Sequence, residues 1–119
     1  MTADETLKKR EHILKSKDFR AVYNKGKSVK KNGIVLSVMR NGLGYNRLGF
    51  SISSTIVKLA CTRNRARRLF REFYRKNKKL FKGDFDMVLI IRKNPGKKLL
   101  YEEVAPLFLS MARDAGIIA

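Results

Sequence analysis

The sequence predicts an α+β fold, a sandwich of helices on a mostly antiparallel sheet in the order α-β-β-β-α-β-α. Three observations predict it. Two stretches, Ile34–Met39 and Arg47–Ser53, alternate in the manner of half-buried strands. The run Met87-Val88-Leu89-Ile90-Ile91 is apolar on both faces, as a strand inside a sheet should be. Between them, Ala66, Leu69, Phe70, Phe73, Asn77, Leu80 and Phe81 gather on one side when successive residues turn by roughly 100°, the period of a helix.

The elements follow in order. Residues 1–15 are polar and basic, with Lys8, Lys9, Arg10 and Lys15, and read as a flexible arm with little core to offer. Ser16 can cap a short helix that runs to Asn24 and stops at Gly26. Phe19, Val22 and Tyr23 share one side of it, where core packing and an exposed stacking role are both open to the two aromatics. A shorter strand around Lys27 to Lys31 precedes Asn32-Gly33. Asn41-Gly42-Leu43-Gly44 reads as a hairpin loop that makes Ile34–Met39 and Arg47–Ser53 antiparallel neighbours. In the second of these strands Leu48, Phe50 and Ile52 share one face and Gly49, Ser51 and Ser53 the other. That second face is small and polar, which leaves room for something to lie on it. After the strand at 87–91, Asn94-Pro95-Gly96 breaks the chain. A last helix turns Val104, Leu107, Phe108 and Met111 inward and stops at Gly116. Pro106 within it requires either a late start or a kink. No repeat and no second domain are visible, so residues 1–119 read as one domain.

Charge bounds the function. The chain carries 28 Lys+Arg against 10 Asp+Glu, a formal net charge of +18, which predicts salt-dependent binding to a polyanion. Nucleic acid fits better than a membrane, since no stretch approaches the roughly 18 apolar residues of a transmembrane span and no secretory segment precedes the charged N-terminus. The lone Cys61 allows no internal disulfide, fits a reducing cytoplasm and is expected to be buried.

The charge is most concentrated in Arg63-Asn64-Arg65-Ala66-Arg67-Arg68-Leu69-Phe70-Arg71-Glu72, which holds five arginines in ten residues. Opposite the apolar stripe lie Asn64, Arg67, Arg68, Arg71, Arg75, Lys78, Lys79 and Lys82, a ridge of one sign; Arg65 and Glu72 fall between the faces. Bases in a helix's first turn oppose its macrodipole and typically lose about 0.3–1 kcal/mol each. Placing Arg63 and Arg65 there gives up helix stability to set guanidinium groups beside backbone N–H groups that attract phosphate. A second surface is expected where Phe19 and Tyr23 face the sheet around Val35, Ser37, Gly49 and Ser51, a place for unpaired bases to stack. Cations and aromatics spread over a helix and a sheet suit RNA or single strands better than a DNA major groove.

Independent catalysis has little support in these residues. The single imidazole, His12, lies in the basic arm, and no Ser-His-Asp, Cys-His or metal-ligand spacing is present. Asp84 and Asp86 flank Phe85 and could share a hydrated cation, but capping a turn before the strand is the commoner use of such a pair. Gly42-Leu43-Gly44 has no following helix to make a phosphate loop.

The arginine-rich segment resembles the "RNR" signature of the protein subunit of bacterial ribonuclease P. Arg47-Leu48-Gly49-Phe50-Ser51-Ile52-Ser53 resembles that family's strand leading into the signature, and Ser16-Lys17-Asp18-Phe19-Arg20-Ala21-Val22-Tyr23 its first helix. Asp86-Met87-Val88-Leu89-Ile90-Ile91-Arg92-Lys93 is similar to its fourth strand and Tyr101-Glu102-Glu103 to the start of its last helix. The resemblance covers roughly residues 7–113.

It implies a left-handed βαβ crossover, a fold like the second domain of ribosomal protein S5, and a division of labour in which an RNA subunit performs the chemistry. By position, Arg63, Asn64, Arg65, Arg67, Arg68 and Arg71, with Arg75 continuing the ridge, would meet the catalytic RNA. Phe19, Tyr23, Val35, Ser37, Ser51 and Ser53, with Lys58 nearby, would line a cleft for the 5′ leader of precursor tRNA. Mg2+ bound mainly by the RNA would activate water to release the leader, and the protein would be a cytoplasmic monomer in a 1:1 complex with that RNA. Ser37 stands where an aromatic is common in the family. Val57 replaces a glycine in the turn before Arg63, and Lys58 is the remaining cation there. A structural RNA-binding protein, such as a small ribosomal protein, and an autonomous nuclease are the competing classes.

Overall fold

The computed structural model describes residues 12, 16–95 and 100–118. The elements are α1 (Ser16–Lys25), β1 (Lys27–Lys31), β2 (Ile34–Arg40), β3 (Arg47–Ile52), α2 (Ala60–Lys76), a 3-10 turn (Lys78–Leu80), β4 (Phe85–Ile91) and α3 (Tyr101–Asp114). The expected basic arm lies outside the described residues apart from His12, which makes a single parallel bridge to Leu48 on β3.

The sheet order is β1-β2-β4-β3. β1–β2 and β2–β4 are antiparallel, and β3–β4 is parallel. The expected hairpin between β2 and β3 is therefore corrected: they are not neighbours, because β4 lies between them. Its residues Met87 to Ile91 are buried on both faces, so the strand stabilises the sheet most from a central position. The hairpin lies instead at Asn32-Gly33, where both residues take positive φ (50° and 77°), the backbone that two-residue turns between twisted strands require. The segment 41–46 crosses the start of β4 and is tied to it. Asn41 N–H donates to the Asp84 carbonyl at 2.9 Å, and Gly44 N–H to the Asp84 carboxylate at 2.8 Å.

The two faces of the sheet are unequal. One carries α2 and α3 over Ile34, Leu36, Val38, Leu48, Met87, Leu89 and Ile91. Phe70 is central there, edge-on to Phe108 at 4.8 Å and to Phe50 at 5.8 Å. The other carries α1 alone, with Val22, Val35, Val88 and Ile90 as its buried cluster.

The α2 stripe is where the periodicity places it for Ala66, Leu69, Phe70 and Phe73. It ends earlier than expected: Asn77 closes the helix by donating from Nδ2 to the Phe73 carbonyl at 2.8 Å, and Leu80 on the 3-10 turn is exposed rather than inward. Tyr74, off the predicted stripe, is buried against Phe81 at 4.9 Å and accepts from Asn46 Nδ2. α3 does not start late. Pro106 lies inside it on an exposed position, as does Glu102, whose carbonyl loses an intrahelical donor to the proline.

Candidate nucleic-acid interface

α1 and the sheet together make a groove of about 600 Å³ between the helix and β3. Its shape follows from three local causes. Gly26 lets the helix descend onto β2, since a Cβ there would stand 2.4 Å from the carbonyl oxygens of both Val22 and Val38. Arg47 pins the other end: it grips the buried Asp86 carboxylate through Nε (2.8 Å) and Nη2 (2.6 Å) and reaches Asp18 of α1 at 3.7 Å. The hydrogen bond to Asp86 is the main reason the Arg47 pKa is raised. Strand register then sets the floor, with Ser37, Val88 and Gly49 in one row and Val35, Ile90 and Ser51 in the next. α1 covers the β2 side of these rows, while Ser51 on β3 is left exposed.

The structure brings Phe19, Tyr23, Ser37, Ser51 and Ser53 to this groove. Phe19 is half-buried against the α1 cluster, while Tyr23 is 55% exposed, so the two aromatics divide between packing and availability. Ser37 is fully buried and shares a 2.7 Å hydrogen bond with Ser28. Ser53 Oγ accepts from Thr55 N–H at 3.1 Å and so also shapes the following turn. Two expected members are elsewhere. Val35 lines a neighbouring cavity because α1 covers its side of the row, and Lys58 is exposed on the loop outside the groove. In that loop the Val57 side chain is buried and its N–H bonds the Ser53 carbonyl at 2.9 Å.

Sequence reasoning missed Phe50, Ile56 and Arg92 in the lining. Phe50 was expected to face the core, and it does touch Phe70, but β3 lies at the sheet's edge and the ring reaches the groove as well. Arg92 carried no local signal. It reaches the site because β4 ends beside α1, where its Nη2 donates to the Tyr23 hydroxyl at 2.5 Å.

On the opposite face α2 begins at Ala60, so Arg63 lies in the first turn and Arg65 just beyond it; Leu59 provides no side-chain cap and no acid sits in that turn. The arginines are not equivalent. Arg63 turns back to donate to the Val57 and Lys58 carbonyls at 2.7 and 3.1 Å, closing the preceding loop. Arg67 donates to Asn64 Oδ1 at 2.8 Å, and Arg68 is exposed. Arg71 does not point straight to solvent. Its guanidinium lies over the Phe50 ring at 5.1 Å, and its Nε is buried with no acceptor among the described residues. Burial, and after it the charge of Arg67, lower the Arg71 pKa. The ridge is also less uniform than its sequence suggests, because Glu72 pairs with Lys76 at 3.1 Å and approaches Arg75 at 3.9 Å.

Among the described residues no group of three or more His, Cys, Asp or Glu could hold a metal ion. Asp84 and Asp86 are engaged by the 41–44 loop and by Arg47. Cys61 is exposed, contrary to expectation, because it opens α2 on the side away from the stripe. No described helix is long and apolar enough to cross a membrane.

A mixed sheet with an arginine helix on one face and a half-open aromatic groove on the other defines a small basic α+β protein with two surfaces suited to polyanions. The chain belongs to the ribonuclease P protein family, whose Ribonuclease P profile it matches over residues 7–111. It is 38% identical over 110 residues to a ribonuclease P protein component of Clostridium botulinum (strain Loch Maree / Type A3), covering 92% of this chain and 97% of that one. It is 35% identical over 107 residues to that of Alkaliphilus metalliredigens, covering 90% and 95%. The Staphylococcus aureus RNase P protein superposes with a TM-score of 0.80 at 26% identity, covering 92% of this chain and 98% of that one. The Thermotoga maritima protein gives 0.75 at 30%, covering 87% and 97%. Membership places the chain in tRNA processing, as the protein component of an endoribonuclease.

Proposed function

We propose that the chain acts as one domain, as a monomer in a one-to-one cytoplasmic complex with the RNA subunit of ribonuclease P. The arginines of α2, half-buried except for the exposed Arg68, bind the catalytic RNA, and the groove between α1 and β3 receives the single-stranded 5′ leader of precursor tRNA. The observation that carries this reading is the link between the two surfaces: Arg71 starts on the arginine helix and ends over Phe50, a ring that lines the groove. A strand leaving the arginine face would thus pass one cation, Arg71, beside a ring of the groove. Hydrolysis to give the mature 5′ end falls in this reading to the RNA subunit and its Mg2+, the division of labour that the family resemblance implies. The protein's share is affinity and placement.

The test uses enzyme reconstituted with the RNA subunit. Phe19→Leu and Tyr23→Leu keep most apolar bulk but remove a π-face worth about 1–3 kcal/mol per stacked base. Each should weaken binding of precursor tRNA and leave mature tRNA, which has no leader, little changed. Equal losses for both tRNAs would remove the leader from the groove. Cleavage of precursor by the protein alone with magnesium would transfer the chemistry to the chain.

A further inference from the structure

The N-cap of α2 breaks a local rule. That position favours Ser, Thr, Asp or Asn, whose side chains accept from the N–H groups that a first turn leaves unpaired. Here it is Leu59, which provides no side-chain cap and, at 56%, is the most exposed large apolar side chain among the described residues. A lone exposed leucine needs no explanation on most of a surface. One that stands in place of a cap gives up helix stability, and its surroundings hold it out rather than leave it loose. Before it, the Val57 side chain is buried and the Val57 N–H donates to the Ser53 carbonyl at 2.9 Å. After it, the Thr62 and Arg63 N–H groups donate to the Leu59 carbonyl at 3.1 and 3.2 Å. Arg63 Nη1 then closes the loop on the Val57 and Lys58 carbonyls at 2.7 and 3.1 Å, so an arginine of the basic helix spends hydrogen bonds on the two residues that precede Leu59. Lys58, Leu59, Ala60 and Cys61 are all exposed, which leaves the leucine clear of the fold between Lys58 and the arginines of α2.

A leucine among cations gains nothing from a phosphate. It gains from burial against an apolar surface, and on RNA that surface is the face of an unstacked base or its ribose, because paired bases hide their faces inside the helix. We infer that Leu59 packs against an unpaired nucleoside of the catalytic RNA, with Arg63 as the residue that positions it. The inference rests on the assignment of α2 to that RNA. Lys58 and the α2 arginines supply an attraction that any stretch of backbone can satisfy, and Leu59 adds one contact that only an unpaired nucleotide can make.

The experiment measures affinity of the full chain for the RNA subunit over a range of salt, together with the melting temperature of the free protein. Leu59→Asn supplies the missing cap and removes the apolar contact. It should raise the melting temperature yet weaken RNA binding about tenfold, with the salt slope unchanged because no phosphate contact is lost. Leu59→Met keeps the apolar bulk and should recover most of the affinity. Arg63→Lys keeps the charge but not the planar fork, so it should weaken binding in the wild-type background and cost little more in the Leu59→Asn background. Unchanged or tighter RNA binding by Leu59→Asn, or an equal loss in Leu59→Met, would overturn the contact, and losses that add for Arg63→Lys would overturn the positioning role. Weaker binding of precursor tRNA by Leu59→Asn at unchanged affinity for the RNA subunit would give Leu59 to the leader instead. Should Arg68→Ala also leave RNA affinity and slope unchanged, it is the assignment of α2 that fails.

Discussion

The two faces of the sheet are built from the same strands, yet one is closed and the other half open. Under α2 and α3 the alternate residues Leu36, Leu48, Met87 and Leu89 meet Phe70, Phe73, Phe108 and Met111 in a continuous core. Under α1 the other alternates, Val35, Val88 and Ile90, meet one fully buried helix residue, Val22, and small groups at Gly49 and Ser51 leave the rest uncovered. Stability is concentrated on the first face, which frees the second to keep an open groove.

Phe73→Ala tests the closed face most severely. The ring is 2% exposed and packs against Phe70, Phe81 and Phe108, so its removal should cost about 3–5 kcal/mol of unfolding free energy in denaturant titration. A variant of unchanged stability would show that the core does not sit under α2. Val22→Ala probes the other face and should cost less, about 1.5 kcal/mol for the two buried carbon groups. It should nonetheless weaken precursor binding more than mature tRNA binding, because Val22 seats the helix that carries Phe19 and Tyr23.

Arg71→Ala and Arg68→Ala sharpen the boundary between stability and binding. Arg71→Ala should lower stability by about 0.5–1 kcal/mol through loss of its contact with Phe50. Arg68→Ala should leave the melting temperature unchanged. Each should flatten the slope of log RNA affinity against log salt by about one. Equal melting temperatures for both variants would return Arg71 to the open ridge.

Asp114→Asn should have the smallest effect, and one that depends on pH. The Lys31 hydrogen bond, and then its charge, hold the Asp114 carboxyl below its ordinary value of 3.8. A depressed folded-state pKa means the pair's contribution is fully present above the unfolded value and fades as pH falls through the folded one. Stability curves of variant and wild type should therefore differ by a small constant amount at neutral pH and converge below about pH 3.8. A gap that widens in acid would contradict the pairing.

What was legible in the sequence was what short-range periodicity controls. Ala66, Leu69, Phe70 and Phe73 declare the buried side of α2 because all four lie within a few turns of one helix. Leu80 misled because the same arithmetic was carried past the Asn77 stop. The β2–β3 hairpin misled for a different reason: Asn41-Gly42-Leu43-Gly44 is good turn chemistry, but a turn does not reveal that a distant strand will enter between its arms. The site divides in the same way. Phe19, Tyr23 and Ser51 could be placed from their own elements, whereas Arg92, the edge position of Phe50 and the transfer of Val35 to the neighbouring cavity depend on β4 and α1 meeting across the fold.

The insertion of β4 also sets a timetable for folding. A chain emerging from the ribosome can close the β1–β2 hairpin at once, since its contacts are local, but the β2–β4 and β3–β4 ladders must wait until Ile91 has been made. Such non-local, partly parallel pairing is slow to form. Until it does, β2 lacks its second neighbour, β3 lacks β4, and the apolar stripe of α2 has no sheet beneath it. A nascent chain stalled before residue 85 would expose unpaired strand edges beside a hydrophobic helix face, the circumstances that favour aggregation between chains.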